Sequence, residues 1–397
     1  MKISERVRRL SPSVTVELNA KIAQMLGEGK DVIKMNIGEP DFDTPDHIKA
    51  AAKRALDEGF TKYTAVPGIL GLRECICKKL LADNKLTYKV SEICVTAGAK
   101  QAIMNAVLTI AEEGDEILIP IPCWVSYESM VEIAGAKPVL VPTKEDFRLD
   151  FDAIEQAVTE RTRGIIINTP NNPTGIVYPK EDLERLAALA DQSDFFVISD
   201  EIYEKLIYEG ARHVSMASLS ENAWEHTITI NGVSKAYSMT GWRIGYMAGP
   251  GPLIKKAAGL QGHMTSASNA IAQKAAQEAI GGPQESVELM RREFDKRRLA
   301  MYERLIQMPD ITCQNAEGAF YLMPDVSAYY GRKAGGREIK NSVDMAAYLL
   351  DAAGVAVVPG DGFYAPKNIR LSYSNSMENL MRGLTRMEEA LKGLRGF

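Results

Sequence analysis

The chain has 397 residues, 46% of them hydrophobic, which is enough to bury a sizeable core and to form two or three lobes rather than one small domain. Its 47 basic residues against 52 acidic ones give a formal net charge of −5, without the basic field that draws a protein to nucleic acid or to an anionic membrane. The five cysteines (Cys75, Cys77, Cys94, Cys123, Cys313) form no CxxC pair, which argues against a disulfide framework or a cysteine zinc site and for free thiols in a reducing compartment.

Residues 1–45 begin basic, MKISERVRRL, but lack the apolar stretch of a secretory signal, and no run in the chain reaches membrane-spanning length. A cytoplasmic, soluble protein is the expectation. This arm is helical around VELNAKIAQML and then extended; too short to form a core, it is expected to join a small domain. From 46 to 282, the runs ICVTAG, DEILIPIP, KPVLVPT, RGIIINTP, FFVISDE, HTITING and GYMAGP alternate with amphipathic stretches such as KQAIMNAVLTIAEEG. The alternation predicts an α/β fold, a large domain around a mainly parallel sheet whose ligands gather at the carboxyl ends of the strands. Residues 283–397 change texture, with a long charged helix SVELMRREFDKRRLAMYERLIQM, strand candidates GAFYLMPDV and GVAVVPG, and a final helix from Met377. They predict a smaller α+β domain.

The loops that follow the strand-like runs carry the chemistry. In NGVSKAYSMTGWRIGY, Lys235 lies among small and apolar neighbours with Trp242 and Arg243 nearby. Desolvation and a neighbouring cation lower a lysine's pKa and favour its attack on a carbonyl, although a lone lysine is most often surface charge. FFVISDEIYEKL ends a hydrophobic strand on Asp200, Glu201 and Tyr203; Asp200 alone reads equally well as the acidic start of a helix. RGIIINTPNNPTGIVY runs a strand into a turn for which Asn and Pro are ordinary. VTAGAKQAI opens a helix after small residues, leaving free amides of the kind a phosphate binds. PIPCWVSYESM sets Trp124 and Tyr127 three residues apart, NIGEPDF holds Gly38 in a turn, and NIRLSYS starts a strand with Arg370, each unremarkable by itself.

In identity, order and spacing, from about Asn36 to Ser372, these segments resemble the class I aminotransferases of PLP fold type I, with SKAYSMTGWRIG as the cofactor-lysine signature. The resemblance implies a seven-stranded central sheet and pyridoxal 5'-phosphate (PLP) as cofactor, held as an internal aldimine on Lys235, which then serves as general base and acid. It implies Asp200 as the partner of the ring nitrogen, because a carboxylate there keeps the ring protonated and the cofactor an electron sink. Tyr127 would back up Asp200. Asn172 and Tyr203 would bond the ring's phenolic oxygen, and Trp124 would stack on the ring. Gly98, Ala99, Lys100, Ser234 and Arg243 would hold the phosphate. Arg370 would grip the substrate α-carboxylate bidentately, with Gly38, Trp124 and Asn172 beside it. Tyr63, in TKYTAVPGILGLR, would reach the partner subunit's phosphate, which implies a homodimer with shared active sites.

One branch of the family binds a side-chain carboxylate through an interface arginine near residue 265, where this chain reads HMTSASNAIAQ. It resembles instead the bacterial aspartate aminotransferase branch, in which Lys100 recognises the distal carboxylate with help from Ser13 and Thr15 in SPSVTVE. The implied reaction is transamination of L-aspartate with 2-oxoglutarate to oxaloacetate and L-glutamate. Lys100 and Thr15 would serve prephenate equally, so a dual aspartate/prephenate enzyme stays open. So do a different amino-acid aminotransferase and a PLP lyase, because the cofactor supplies the electron sink and the protein decides which bond breaks. A transcription regulator with such a lobe would need a helix-turn-helix domain, and the negative charge speaks against it. No metal is expected: His47, His213, His226 and His263 are scattered without ligand spacing, and there is no HExxH, GxSxG or GxxxxGK[ST] pattern.

Overall fold

The seven strand-like runs of the middle segment fold as one sheet. In this computed structural model, residues 3–8, 14–208, 210–334 and 336–394 are described. In chain order the strands are β1 Ile33–Lys34, β2 Ile93–Thr96, β3 Glu116–Ile121, β4 Lys137–Pro142, β5 Thr162–Asn168, β6 Phe196–Asp200, β7 Thr227–Gly232, β8 Gly245–Ala248, β9 Tyr321–Leu322, β10 Lys333–Ala334, β11 Arg337–Glu338, β12 Val355–Ala356, β13 Val358–Pro359 and β14 Ile369–Ser372. The central sheet has the order β2-β8-β7-β6-β5-β3-β4, with β8 antiparallel to both its neighbours and every other pairing parallel. The expected α/β fold with a mainly parallel seven-stranded sheet is what forms.

Helices cover both faces of this sheet, which is why its inner strands read as nearly unbroken apolar runs rather than as alternation. On one face Ile103, Val107, Val131 and Ile254 pack against Ile119, Ile166, Ile198 and Ile228. On the other, Ile154, Leu183 and Leu186 pack against Leu118, Ile165 and Val197. Each such side chain, once buried, contributes roughly 1.5–3 kcal/mol. Because the five strands β3–β7 run parallel, their carboxyl ends come out along one edge, and β8 starts at that same edge.

The smaller lobe is built on the antiparallel sheet β13-β14-β9 and the helices Glu285–Leu305, Ser342–Ala353 and Met377–Lys392. β1 pairs in parallel with β12, so the arm joins this lobe, and Ile33 and Met35 enter its core beside Phe294, Phe320 and Leu384. Ile202, Tyr203 and Leu206, just beyond β6, pack into the same core and tie the end of the central sheet to the small lobe. Among the described residues, no helix is long and apolar enough to cross a membrane.

Candidate active site

A cavity of about 670 Å³ opens where the two lobes meet the carboxyl edge of the central sheet. Asp200 closes β6 and lies in its wall. The Tyr127 hydroxyl donates to Asp200 Oδ2 at 2.7 Å and the Ile202 amide to Oδ1 at 3.2 Å. Burial nevertheless pushes this carboxyl up to about 6; the two hydrogen bonds and the Lys235 charge oppose the rise and Glu201 adds to it. A carboxylate held so close to its protonation point, in a dry wall, is suited to share a proton with a cationic ring nitrogen.

Lys235 lies three residues beyond β7, and its Nζ donates to the Gly38 carbonyl at 2.6 Å. The Tyr203 and Phe320 rings each lie 5.8 Å from Nζ. Nζ is reached through the cavity mouth but is otherwise enclosed by protein, and that desolvation, with the Arg370 and Arg243 charges, lowers its pKa to about 8 against the pull of Glu39 and Asp200. A neutral fraction of about a tenth at pH 7, hundreds of times that of an ordinary lysine, makes it a usable nucleophile and base.

Beside it, Gly98 caps the helix Ala99–Ile110 at a φ of 82°, with no side chain bonded to the helix's first amides. The Arg243 guanidinium lies directly against this turn: a Cβ on Gly98 would fall 2.4 Å from its Nη2. Arg243 Nη1 donates to the Thr240 carbonyl at 2.8 Å. Gly245 brings β8 equally close, since a Cβ there would fall 2.4 Å from the Ala99 amide nitrogen. A bare helix N-terminus beside a guanidinium is an anion cradle.

The fourth element comes from the small lobe. Arg370, on β14, donates from Nη1 to Asn172 Oδ1 at 2.9 Å and from Nη2 to the Asn36 carbonyl at 3.1 Å. Its guanidinium sits over the rings of Tyr321 (4.4 Å) and Phe363 (5.0 Å), and its buried Nε has no partner among the described residues. Burial lowers its pKa, but a guanidinium remains charged, so this cation is buried without a counter-anion among the described residues. An α-carboxylate would supply one. Tyr203 and Tyr321 meet through their hydroxyls at 3.0 Å in the same wall.

Residues 30–387 match the family described as aminotransferase class I and II. The chain belongs to that family. It is 45% identical over 394 residues to the aspartate aminotransferase of Geobacillus stearothermophilus, covering 99% of each chain. It is also 45% identical over 394 residues to a probable aspartate/prephenate aminotransferase of Aquifex aeolicus, covering 98% of each. Among solved structures, the aspartate aminotransferase from Rhizobium meliloti superposes with a TM-score of 0.96 at 39% identity, over the whole of both chains.

In this aminotransferase the residues present fit the expected cofactor. The Gly98–Arg243 cradle, which a Cβ would fill, suits its phosphate; Asp200 suits its ring nitrogen; the Lys235 amine suits its aldehyde. Gly38, Ala99, Trp124, Asn172, Tyr203 and Ser234 line the same cavity, and Gly98 lies just behind Arg243. Lys100 also lines it, with its Nζ 3.2 Å from Ser126 Oγ and 4.7 Å from the centre of the Trp124 ring. Tyr63 stands apart: it is 97% exposed and takes no part in the cavity of its own chain. Ser13 lies outside the described residues, as does the side chain of Thr15.

Sequence reasoning missed Tyr321, Phe363, Thr240 and Glu39 in the wall, and Gly245 behind the cradle. Gly245 had a signal, a glycine at the start of a strand, which marks a close backbone approach. Tyr321 had none, since an aromatic in the apolar run AFYLM reads as core, and Phe363, in PGDGFYAP, reads as part of a turn.

Proposed function

We propose that this aminotransferase uses pyridoxal 5'-phosphate to move an amino group between L-aspartate and 2-oxoglutarate, giving oxaloacetate and L-glutamate, as a cytoplasmic homodimer. The observation that carries the reading is Arg370, a buried guanidinium whose Nε has no partner and whose charge has no counter-anion among the described residues, in the same cavity as Lys235. When bound, the cofactor supplies the electron sink that makes an amino acid's α-hydrogen acidic. Arg370 binds the α-carboxylate and so fixes which α-bond stands across the ring, while Asn172 holds Arg370 in place. The Lys235 Nζ takes the proton from the substrate α-carbon and returns it on the far side of the transfer. Asp200, held in position by Tyr127, would keep the ring nitrogen protonated. Tyr203, Asn172 and Trp124 would hold the ring, and Ser234 would join Arg243, Gly98, Ala99 and Lys100 in holding the phosphate.

Lys100, set at the cavity wall with its pKa lowered by burial and by Arg243, binds the side-chain carboxylate, helped by Ser13 and Thr15. The names of the relatives support aspartate as substrate. A second reading, an enzyme that also takes prephenate, draws support from the apolar residues Ile22, Leu26, Ile37 and Phe363 in the cavity lining and from the Aquifex aeolicus relative. Nearly full exposure of Tyr63 supports its use by a partner subunit.

The test is the half reaction followed through the cofactor's absorbance, with each amino donor added alone. Conversion by aspartate and glutamate but not by arogenate, alanine or phenylalanine supports the main reading. Conversion by arogenate as well selects the dual enzyme, and a protein without a cofactor band overturns both. Mixing Lys235→Ala and Tyr63→Ala protomers should restore activity above the sum of the two, because one site of each hybrid dimer would then be native.

A further inference from the structure

Among the described residues, five cationic side chains line the cavity, Lys34, Lys100, Lys235, Arg243 and Arg370, against two carboxylates, Asp200 and Glu39. Glu39 accepts a hydrogen bond from Thr240 Oγ1 at 2.6 Å. The reading given above occupies Lys235, Arg243, Asp200, Arg370 and Lys100, which also donates to Ser126 and rests over Trp124. The Lys34 ammonium alone among these cations has neither a hydrogen bond nor an ion pair with a described residue.

Its direction follows from strand geometry. Ile33 and Met35 are buried in the small-lobe core, so the alternation along β1 turns Lys34 to the other face, where it is exposed. That face borders the cavity beside Ile22, Ala23 and Leu26 of the helix Val14–Gly27. Two residues on, the Asn36 carbonyl accepts from Arg370 Nη2, so Lys34 stands one strand repeat, about 7 Å of backbone, from the residue that anchors this arginine. An apolar backing also strengthens the field of a cation in a cleft.

We propose that Lys34 is a specificity-determining residue that, together with Lys100, holds the side-chain carboxylate of a dicarboxylic amino acid. The proposal rests on the dicarboxylate reading of the site. Lys100 is carried by the large lobe and Lys34 by β1, which is bonded to β12 of the small lobe, so a substrate carboxylate held by both links the two lobes across the cavity. The contact adds to ground-state binding of aspartate, glutamate and their 2-oxo acids and gives nothing to alanine, which has no second charge.

The experiment measures kcat/KM of the holoenzyme for aspartate and for alanine in the wild type and in Lys34→Ala, Lys34→Gln and Lys34→Arg. The aspartate-to-alanine ratio is expected to fall about fivefold in the Ala and Gln variants, through KM, and to be kept by Arg, as for one partly exposed ion pair. A Lys34→Ala ratio equal to that of the wild type overturns the proposal, and so does an Arg variant that falls as far as Ala. A wild type that shows no preference for aspartate overturns the dicarboxylate reading itself, and that measurement precedes any variant.

Discussion

On the large-lobe side of the cavity the chemical groups sit at strand ends: Asp200 closes β6, Lys235 follows β7 by three residues and Arg243 precedes β8 by two. On the small-lobe side, Gly38, Tyr321 and Arg370 come from three segments far apart in the chain and meet only through the arm and the sheet β13-β14-β9. The first set lies along one edge of a single sheet, whereas the second is brought together where the arm packs on the small-lobe sheet, in which β14 carries Arg370 between β13 and β9. On the proposed function, reaction chemistry belongs to the edge of the large sheet and recognition to the contact between lobes. Under the proposed function, changes on the first side should lower kcat for every amino acid, and changes on the second should act through KM.

The largest effect is expected from Lys235→Ala, which removes the base: turnover should fall about 10⁴-fold with aspartate and glutamate alike. A fall confined to one substrate would break the division. Asp200→Asn, which cannot hold the ring proton by charge, should lower kcat by about 10³-fold with KM little altered. Steady-state kinetics across several amino acids checks both.

Asp200 also makes a pH prediction for the cofactor-free protein. Burial raises its carboxyl from the ordinary 3.8 to about 6. Below about pH 3 the group is protonated both folded and unfolded and costs nothing. Between pH 4 and 6 the unfolded chain ionises first, so this group's contribution to stability falls as pH rises, by about 3 kcal/mol in total above pH 6. Chemical denaturation of Asp200→Asn should therefore show it gaining that amount on the wild type between pH 3 and pH 7; a constant difference would mean that the wall is wet.

Arg370→Lys replaces a forked donor by a point charge and should cut kcat/KM about 50-fold for all amino acids, mainly in KM. If kcat fell instead, the small-lobe side would be taking part in the chemistry. A smaller effect is expected from Gly98→Ala, whose Cβ would meet the Arg243 guanidinium at a φ of 82°. Cofactor affinity, titrated by absorbance, should weaken about tenfold while kcat of the saturated enzyme is nearly kept.

How much was legible before the chain was folded differs between these two sides in the same way. The seven apolar runs marked the strands of the sheet because strands covered on both faces must be apolar along their length, and the residue that ends such a run must lie at the sheet's edge. Asp200 and the turn before Lys235 could be placed on that ground alone, and the order and spacing of the motifs added the family. Tyr321 and Phe363 about Arg370, Lys34 of the arm at the cavity, and the approach of Gly245 to Ala99 could not be placed in this way. Each joins groups that are distant in the chain or lie on different elements, and no local periodicity encodes such a meeting. The sequence by itself determined the strands, their edge and the reacting groups on it, because these follow from local burial. Only the tertiary structure decided which side chains surround a substrate, because that depends on how the lobes and the arm pack.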